Sequence, residues 1–287
     1  MERVKRSNRM PNEASLDEFA LKMTPAVRKA AEIALGLEGR VSNTPKGHER
    51  TAVKQALTEA DTLAQEAILE ALLEHYPHVR LEAEEDTPLV EAFRCDGDGD
   101  GVVIIDPIDG TLQSYLEGLG PYAVIVGLSI ERRVHSALVM LPREGFLFRT
   151  APSAGVEVIA GAAPPRPARA ASDGRKILVS HSVPQRTRAA LESEGFEVAP
   201  AAGGAVAIAP LLPGVRAGIR YAAEESGIGI SIRGRVGVAI AREAGAFVRA
   251  EGGQPFPDDL DTPCRLLSVT ANEKDQEALQ RILEGEA

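Results

Sequence analysis

The sequence predicts an α+β half followed by an α/β half. Three observations lead there: two helix-period segments open the chain, a run of short apolar strands fills its middle, and strands alternate with helices in its second half. The 287 residues correspond to one large or two small domains at roughly 150 residues per domain. That is long enough to bury a core without staples.

Residues 1–12 are polar. Residues 15–38 carry apolar side chains at helical spacing (Leu16, Phe19, Ala20, Met23), with a break or restart expected at Pro25 and a stop at Gly39. Residues 40–54 are polar and basic, with Pro45 and Gly47, and read as a loop. Thr58 to about His75 is the clearest helix: Leu63, Ala64, Ala67, Ile68, Ala71 and Leu72 share one face, and Tyr76-Pro77 ends it. Strands are expected around Val79–Leu81, Val102–Ile105, Tyr122–Ile130, His135–Leu141 and Phe146–Phe148, joined by turns as an antiparallel meander. Residues 151–174, rich in Ala, Pro, Gly and Arg, read as a linker or exposed insertion. The domain division expected is therefore 13–150, a linker or insertion at 151–176, and 177–287. In the last part, strands at Ile177–Ser180, Phe196–Ala199, Ile219–Ala222 and Leu266–Thr270 alternate with helices at Gln185–Ser193, Ala205–Leu212, Val236–Ala244 and Asp275–Leu283.

Charge and composition narrow the function. With 32 Lys and Arg against 42 Asp and Glu, the net charge is −10. A surface of that sign repels nucleic acid and anionic membranes. Trp is absent and aromatics are 4% of residues, which disfavours stacked-base recognition. Cys95 and Cys264 form no CxxC pair, so neither a zinc site nor a disulfide framework is expected. The basic N-terminus leads into no apolar segment, and a soluble, cytoplasmic protein is the expectation.

The densest chemical signal is Asp106-Pro107-Ile108-Asp109-Gly110-Thr111, directly after the apolar run Val102–Ile105. Two carboxylates aimed at one point, with a carbonyl between them, suit a hard divalent cation. Gly110 and Thr111 would open the next turn, where free N–H groups can take a phosphate oxygen. Two solvated aspartates in a turn would look the same. Glu82, Glu84, Glu85 and Asp86 form a second acidic cluster, which reads equally as an exposed acidic loop. Thr58-Glu59-Ala60-Asp61 reads first as a capping box. Asp96-Gly97-Asp98-Gly99-Asp100-Gly101 matches half an EF-hand loop, but the twelfth position is Pro107 and no helices flank it, so it is rejected. No P-loop, GxGxxG, GxSxG or HExxH occurs.

The DPIDGT hexamer resembles the signature of the inositol monophosphatase-like superfamily, the lithium-sensitive, magnesium-dependent phosphatases. That group includes inositol monophosphatases, bisphosphate nucleotidases and fructose bisphosphatases. Thr58–Asp61 is similar to the family's TEAD-type element, Ala83-Glu84-Glu85 to its GEE element, Pro121–Val124 to the stretch after the signature, and 203–221 and 241–246 to its C-terminal half. The resemblance covers roughly residues 26–284. It implies a layered αβαβα sandwich and Mg²⁺-dependent hydrolysis of a small phosphate monoester such as an inositol phosphate. It also implies a homodimer, the state of many members. Residue by residue, it implies Glu84 (or Glu85) as a metal ligand, Asp106 bridging metals, Asp109 on a second metal, the Ile108 carbonyl completing the first site, Gly110 and Thr111 holding phosphate, and Thr111 with Asp61 orienting the attacking water.

Two departures stand out. The family places a further metal-ligand Asp just before the helix ending in EAGG. Here that position is Arg233, preceded by Ile232 in place of Trp. Arg233 either stands in for a metal's charge, recognises an anionic group together with Arg235, accompanies a loss of hydrolysis that leaves a protein binding a phosphorylated ligand or a partner, or makes only a structural salt bridge. Gly203-Gly204-Ala205 replaces a Gly-Ser of many members and removes a hydroxyl near the substrate.

Overall fold

The structure, a computed structural model, describes residues 13–46, 57–93, 101–151, 155–222 and 229–285. Expectations for 1–12, for most of the loop at 40–54, for Asp96–Asp100 and for Cys95 lie outside these residues.

Helix α1 (Glu13–Leu37) runs through Pro25 without the expected break. Pro25 lacks the N–H that would pair with the Leu21 carbonyl. Leu21 is exposed, so water can take that carbonyl, and the Thr24 hydroxyl donates to the Ala20 carbonyl one position earlier (2.7 Å). Helix α2 (Glu59–His75) starts at the expected cap, Thr58, and ends at Tyr76.

A seven-stranded sheet follows in the order β1 (Arg80–Ala83), β2 (Gly101–Asp109), β3 (Ala123–Ile130), β4 (Arg133–Leu141), β5 (Phe146–Ala151), β6 (Gly155–Ala160) and β7 (Arg166–Pro167). From β2 onward it is the expected antiparallel meander. Two expectations are corrected. β1 pairs parallel with β2 and so is no part of the meander. The stretch read as a linker carries β6 and β7: Val156, Val158 and Ile159 are buried, a short apolar set that the surrounding Ala, Gly and Pro obscured in the sequence.

The second sheet runs β11 (Phe247–Arg249), β12 (Leu266–Thr270), β10 (Val215–Tyr221), β8 (Lys176–Val179) and β9 (Glu197–Pro200). Helices α3 (Gln185–Ser193), α4 (Gly203–Ala207) and α5 (Val236–Glu243) lie between these strands in the chain, and α6 (Glu273–Glu284) follows the last of them. The helix expected over 205–212 is split into α4 and a single 3₁₀ turn, Ala209–Leu211, because Pro210 cannot continue an α-helix. The three-residue β11 was too short to be read from the sequence.

The apolar clusters place the layers. Val103 and Ile105 of β2 pack with Phe19, Met23, Ile68 and Leu72 of α1 and α2. Ile104, on the opposite face of β2, packs with Val206, Val236 and Ile240. This is the alternation that a strand buried on both sides requires. Ala207, Val238 and Ala241 touch Val269 and Leu267 of the second sheet, whose outer face is covered by Leu191 of α3 and by Leu279 and Ile282 of α6. The result is a helix–sheet–helix–sheet–helix sandwich.

Candidate active site

Parallel pairing of β1 with β2 decides which acids meet. Ala83 lies opposite Ile105, so the next residues on the two strands, Glu84 and Asp106, leave the sheet side by side. Asp106 and Asp109, three apart, would point to opposite faces of a regular strand. The pairing shifts by one residue between them, with Asp106 opposite Ile125 and Asp109 opposite Ala123. That bulge, at a proline that has no N–H to give, turns both carboxylates to one side.

Helix α2 supplies the opposite wall. Asp61 is both a capping residue and more. Its Oδ2 accepts from the Thr58 backbone N–H (2.8 Å) and the Thr58 hydroxyl (2.6 Å), while its Oδ1 accepts from the Thr111 hydroxyl (3.0 Å). The capping and the functional readings of TEAD therefore describe the same side chain. Thr111 Oγ1 also lies 2.9 Å from the Ile108 carbonyl, so its one proton has two acceptors in reach. The turn from Gly110 is π-like, with the Tyr115 N–H donating to the Gly110 carbonyl five residues back (3.1 Å). Gly110 has φ 94°, and a Cβ there would fall 2.6 Å from the Ala202 Cβ, so only glycine fits.

The two glutamates of the acidic cluster diverge. Gln65 of α2 brackets the Glu85 backbone: its side-chain amide donates to the Glu85 carbonyl (2.6 Å), and its side-chain oxygen accepts from the Glu85 N–H (3.0 Å). The Glu85 carboxylate takes Lys46 Nζ at 2.6 Å, with both side chains nearly excluded from water. Glu84 keeps a longer approach to Lys46 (3.9 Å) and interacts with Asp106. Arg233 enters from the far side, its Nε 3.7 Å from Glu84 and 3.8 Å from Asp106.

Burial governs the charges. It pushes Asp61 up to about 6, against the hydrogen bonds from Thr58 and Thr111, and Glu85 up to about 7, against the pull of Lys46. Asp106 is raised well above the carboxylate range by burial and then by repulsion from Glu84 and Asp109, with Arg233 opposing. Asp109 is raised by burial, while the charge of Arg220 and the Gly204 N–H resist. Burial alone would weaken the Arg233 charge, but Glu84 and Asp106 outweigh it and hold the guanidinium charged.

Among the described residues of the site, one buried acceptor is left over: Asp106 Oδ1 has no hydrogen-bond partner. An orphaned, desolvated carboxylate oxygen is costly and fits a cation. Beside it stand Glu84 and the Ile108 carbonyl, an oxygen-only donor set. Among the described residues, no group of three or more Asp, Glu, His or Cys side chains forms a metal cage. Mg²⁺ does not demand one, because it binds through one or two carboxylates and keeps several waters. The residues fit one such ion. Arg233, 3.7 Å from Glu84 and 3.8 Å from Asp106, brings positive charge to both of those carboxylates.

Sequence reasoning missed two cations. Lys46 sat in a stretch read only as a basic loop, with no pattern to mark it. Arg220 left a trace, a charge in the strand of Val215, Ala217 and Ile219, all buried. Arg235, read as a second anion binder, is instead spent on structure: its guanidinium donates to the Ile230 (3.1 Å) and Asp259 (3.2 Å) carbonyls and stacks on Phe256.

The inositol monophosphatase family model matches residues 16–223. An inositol monophosphatase from Anabaena (Nostoc) superposes with TM-score 0.65 at 20% identity, covering 95% of this chain and 97% of that one. A fructose-1,6-bisphosphatase/inositol-1-monophosphatase of Thermotoga maritima is 30% identical over 125 residues, 44% of this chain and 43% of the relative. A probable 6-carboxy-5,6,7,8-tetrahydropterin synthase of Halobacterium salinarum is 30% identical over 104 residues, 35% of this chain and 60% of the relative. The chain thus spans less than two thirds of the length of either curated relative.

Proposed function

Because the chain belongs to the inositol monophosphatase family, we propose that it hydrolyses a small phosphate monoester, such as an inositol phosphate, with one Mg²⁺ and with the Arg233 guanidinium in place of a second ion. The observation that carries this reading is the Thr111–Asp61 hydrogen bond (3.0 Å) set beside the orphaned Oδ1 of Asp106. A pure phosphate binder has no use for that pair.

Glu84, Asp106 and the Ile108 carbonyl would hold the ion. When bound, Mg²⁺ supplies charge to the phosphoryl oxygens and acidity to water. The remaining steps belong to the chain. The Thr111 hydroxyl donates its hydrogen bond to Asp61, which leaves its oxygen lone pairs free to accept from a water and aim it at phosphorus. The N–H groups of Gly110 and Thr111 bind the phosphoryl oxygens. Arg233 clamps an equatorial oxygen and takes up charge as the ester bond breaks. Asp109, its Oδ2 engaged by the Gly204 N–H, keeps the rim of the second half against the first. In this division of labour residues 13–150 carry the acids and Lys46, and residues 177–287 carry Arg220 and Arg233.

A second reading is favoured by Arg233 alone. Its guanidinium neutralises Glu84 and Asp106 without any ion, which suits a protein that binds a phosphorylated ligand without cleaving it. The test is phosphate release from inositol 1-phosphate, fructose 1,6-bisphosphate and a nucleoside 3′,5′-bisphosphate, with Mg²⁺ titrated and a chelator as control. Mg²⁺-dependent release of any one supports hydrolysis. No release from all three, with the phosphorylated compounds still bound, supports the second reading.

Asp61 sets a pH limit. The Thr111 hydroxyl bonds it most strongly while it is ionised, and burial pushes its carboxyl up to about 6. Turnover is expected to fall as pH drops through 6, with Thr111→Val abolishing that limb along with most of the rate. The sign for stability is opposite. A carboxyl raised from 3.8 to about 6 in the fold costs stability as pH climbs through that interval. Asp61→Asn is therefore expected to flatten the decline in melting temperature between pH 4 and pH 6. An acid limb at pH 4 or below would detach Asp61 from turnover.

A further inference from the structure

Arg143, in the turn between β4 and β5, pairs with none of the acids of the site, yet every nitrogen of its guanidinium is engaged. Nε and Nη2 hold the carboxylate of Glu38, just past the end of α1, at 2.7 and 2.6 Å. Nη1 donates to the Gly120 carbonyl (2.8 Å), and Nη2 to the carbonyls of Ser114 (2.8 Å) and Tyr115 (3.4 Å). The guanidinium also lies over the Tyr122 ring, 5.0 Å from its centroid. Those three carbonyls belong to one short segment, the π turn Thr111–Leu116 and the residues that leave it. Carbonyls at the end of a helical turn lack a helical N–H partner. The Leu119 and Gly120 N–H groups, which follow Ser114 and Tyr115 by one turn, bond instead to the Gln113 (2.9 Å) and Gly118 (3.1 Å) carbonyls. Arg143 takes their place. Tyr115 is tied down as well: its hydroxyl donates to the Ala34 carbonyl (2.8 Å), and its ring packs with Tyr122 and Ile108. At the near end of the same turn Thr111 bonds Asp61, and Gly110 is wedged against Ala202.

We infer that Arg143 is a positioning residue for Thr111: by clasping the far end of the π turn it fixes the Thr111 hydroxyl and the Gly110 and Thr111 N–H groups in place. The inference rests on the hydrolytic reading for what those groups do, and its test includes a binding measurement that does not. Arg143→Lys keeps a cation beside Glu38, but a single ammonium on a flexible stem cannot span the Gly120 and Ser114 carbonyls as a planar fork does. A misplacement of about 1 Å at reacting groups is worth roughly a hundredfold in rate. In Arg143→Lys and Arg143→Ala, kcat is therefore expected to fall about tenfold to a hundredfold, while KM rises only severalfold. Inorganic phosphate, measured by calorimetry, is expected to bind both variants severalfold more weakly.

Arg149→Ala is the control for a merely structural loss. Arg149 is as fully engaged, with Glu157 (2.9 and 2.6 Å) and Thr24 (2.9 Å), but it joins β5 to β6 and α1 and not to the π turn. Its removal is expected to lower the melting temperature and leave kcat close to that of the parent. An open cleft of about 610 Å³, lined by Arg143, Leu35, Glu38, Tyr115 and Leu116, leads in from solvent. It gives a small cation a path to the space that Arg143→Ala vacates. Guanidinium chloride at a non-denaturing concentration is expected to restore part of that variant's kcat, and sodium chloride at the same ionic strength to restore none. A kcat close to the parent's in both Arg143 variants, a loss matched by Arg149→Ala at a similar melting temperature, or equal restoration by the two salts overturns the inference. The two readings fail separately. A parent that releases no phosphate, with phosphate affinity still weakened by Arg143→Lys, removes hydrolysis and keeps the clasp, whereas release undiminished in Arg143→Lys removes the clasp and keeps hydrolysis.

Discussion

Asp106→Asn is expected to lower Mg²⁺-dependent phosphate release roughly a thousandfold, since charge stabilisation by a bound ion is worth several kcal/mol of the barrier. Asparagine is nearly isosteric, so the loss is one of charge and not of shape. The same change is expected to leave the protein at least as stable. Asp106 is 5% exposed, and burial with repulsion from Glu84 and Asp109 raises its carboxyl well above the usual range. A raised acid costs stability once pH exceeds its unfolded value, so a neutral side chain removes that cost at pH 7. The new amide also finds Glu84 as an acceptor. Activity assays and a thermal melt on the same sample separate the two effects. A variant that melts far below the parent would show Asp106 to be structural, and one that keeps its rate would remove it from the chemistry.

Lys46→Met carries the second large effect, this time on stability. The Lys46 and Glu85 side chains are 9% and 5% exposed and meet at 2.6 Å. Removing one partner of a buried pair strands the other charge, at a cost of about 3 kcal/mol or more. Glu85 has an escape, because its carboxyl is already pushed up to about 7 by burial even with the lysine present. Without Lys46 it rises further and the folded protein binds a proton. The destabilisation is therefore expected in full at pH 8 and to shrink as pH falls toward 5, where Glu85 is neutral in the variant. Denaturant unfolding at the two pH values measures this. A loss equal at both would mean that packing of the lysine stem, not its charge, holds the loop to the site.

The parts of the molecule that depend on local pattern were legible in the sequence. Thr58 and Asp61 cap α2 as their spacing implies, and the meander from β2 onward follows its alternating apolar runs. The parts that failed depend on contacts distant in the chain. The continuity of α1 through Pro25 rests on which carbonyl the proline leaves bare and on that side facing water. β6 and β7 form because β5 offers an edge to pair with, and no residue inside 155–167 announces it. At the site, DPIDGT marked the acids, but their common direction comes from the register shift against β3. Glu84 and Glu85 look alike in sequence. What separates them are Gln65 and Lys46, 20 and 39 residues upstream of Glu85. Arg233 was legible as a departure from the family, and its contact with both Glu84 and Asp106 gives that departure a physical meaning. Arg220 left only a trace, a charge in an otherwise apolar strand, because its effect falls on Asp109, a residue distant in the chain.

The central claim is that Arg233 takes the place of a second ion, so that one divalent cation suffices. Phosphate release as a function of Mg²⁺, on the best substrate of the panel, tests it most directly. A hyperbolic dependence on a single ion is expected, with complete loss in chelator, and in Arg233→Asp a weaker turnover whose Mg²⁺ dependence turns sigmoidal as a second site is restored. A sigmoidal, two-ion dependence in the parent protein, or release that persists in chelator, would contradict it.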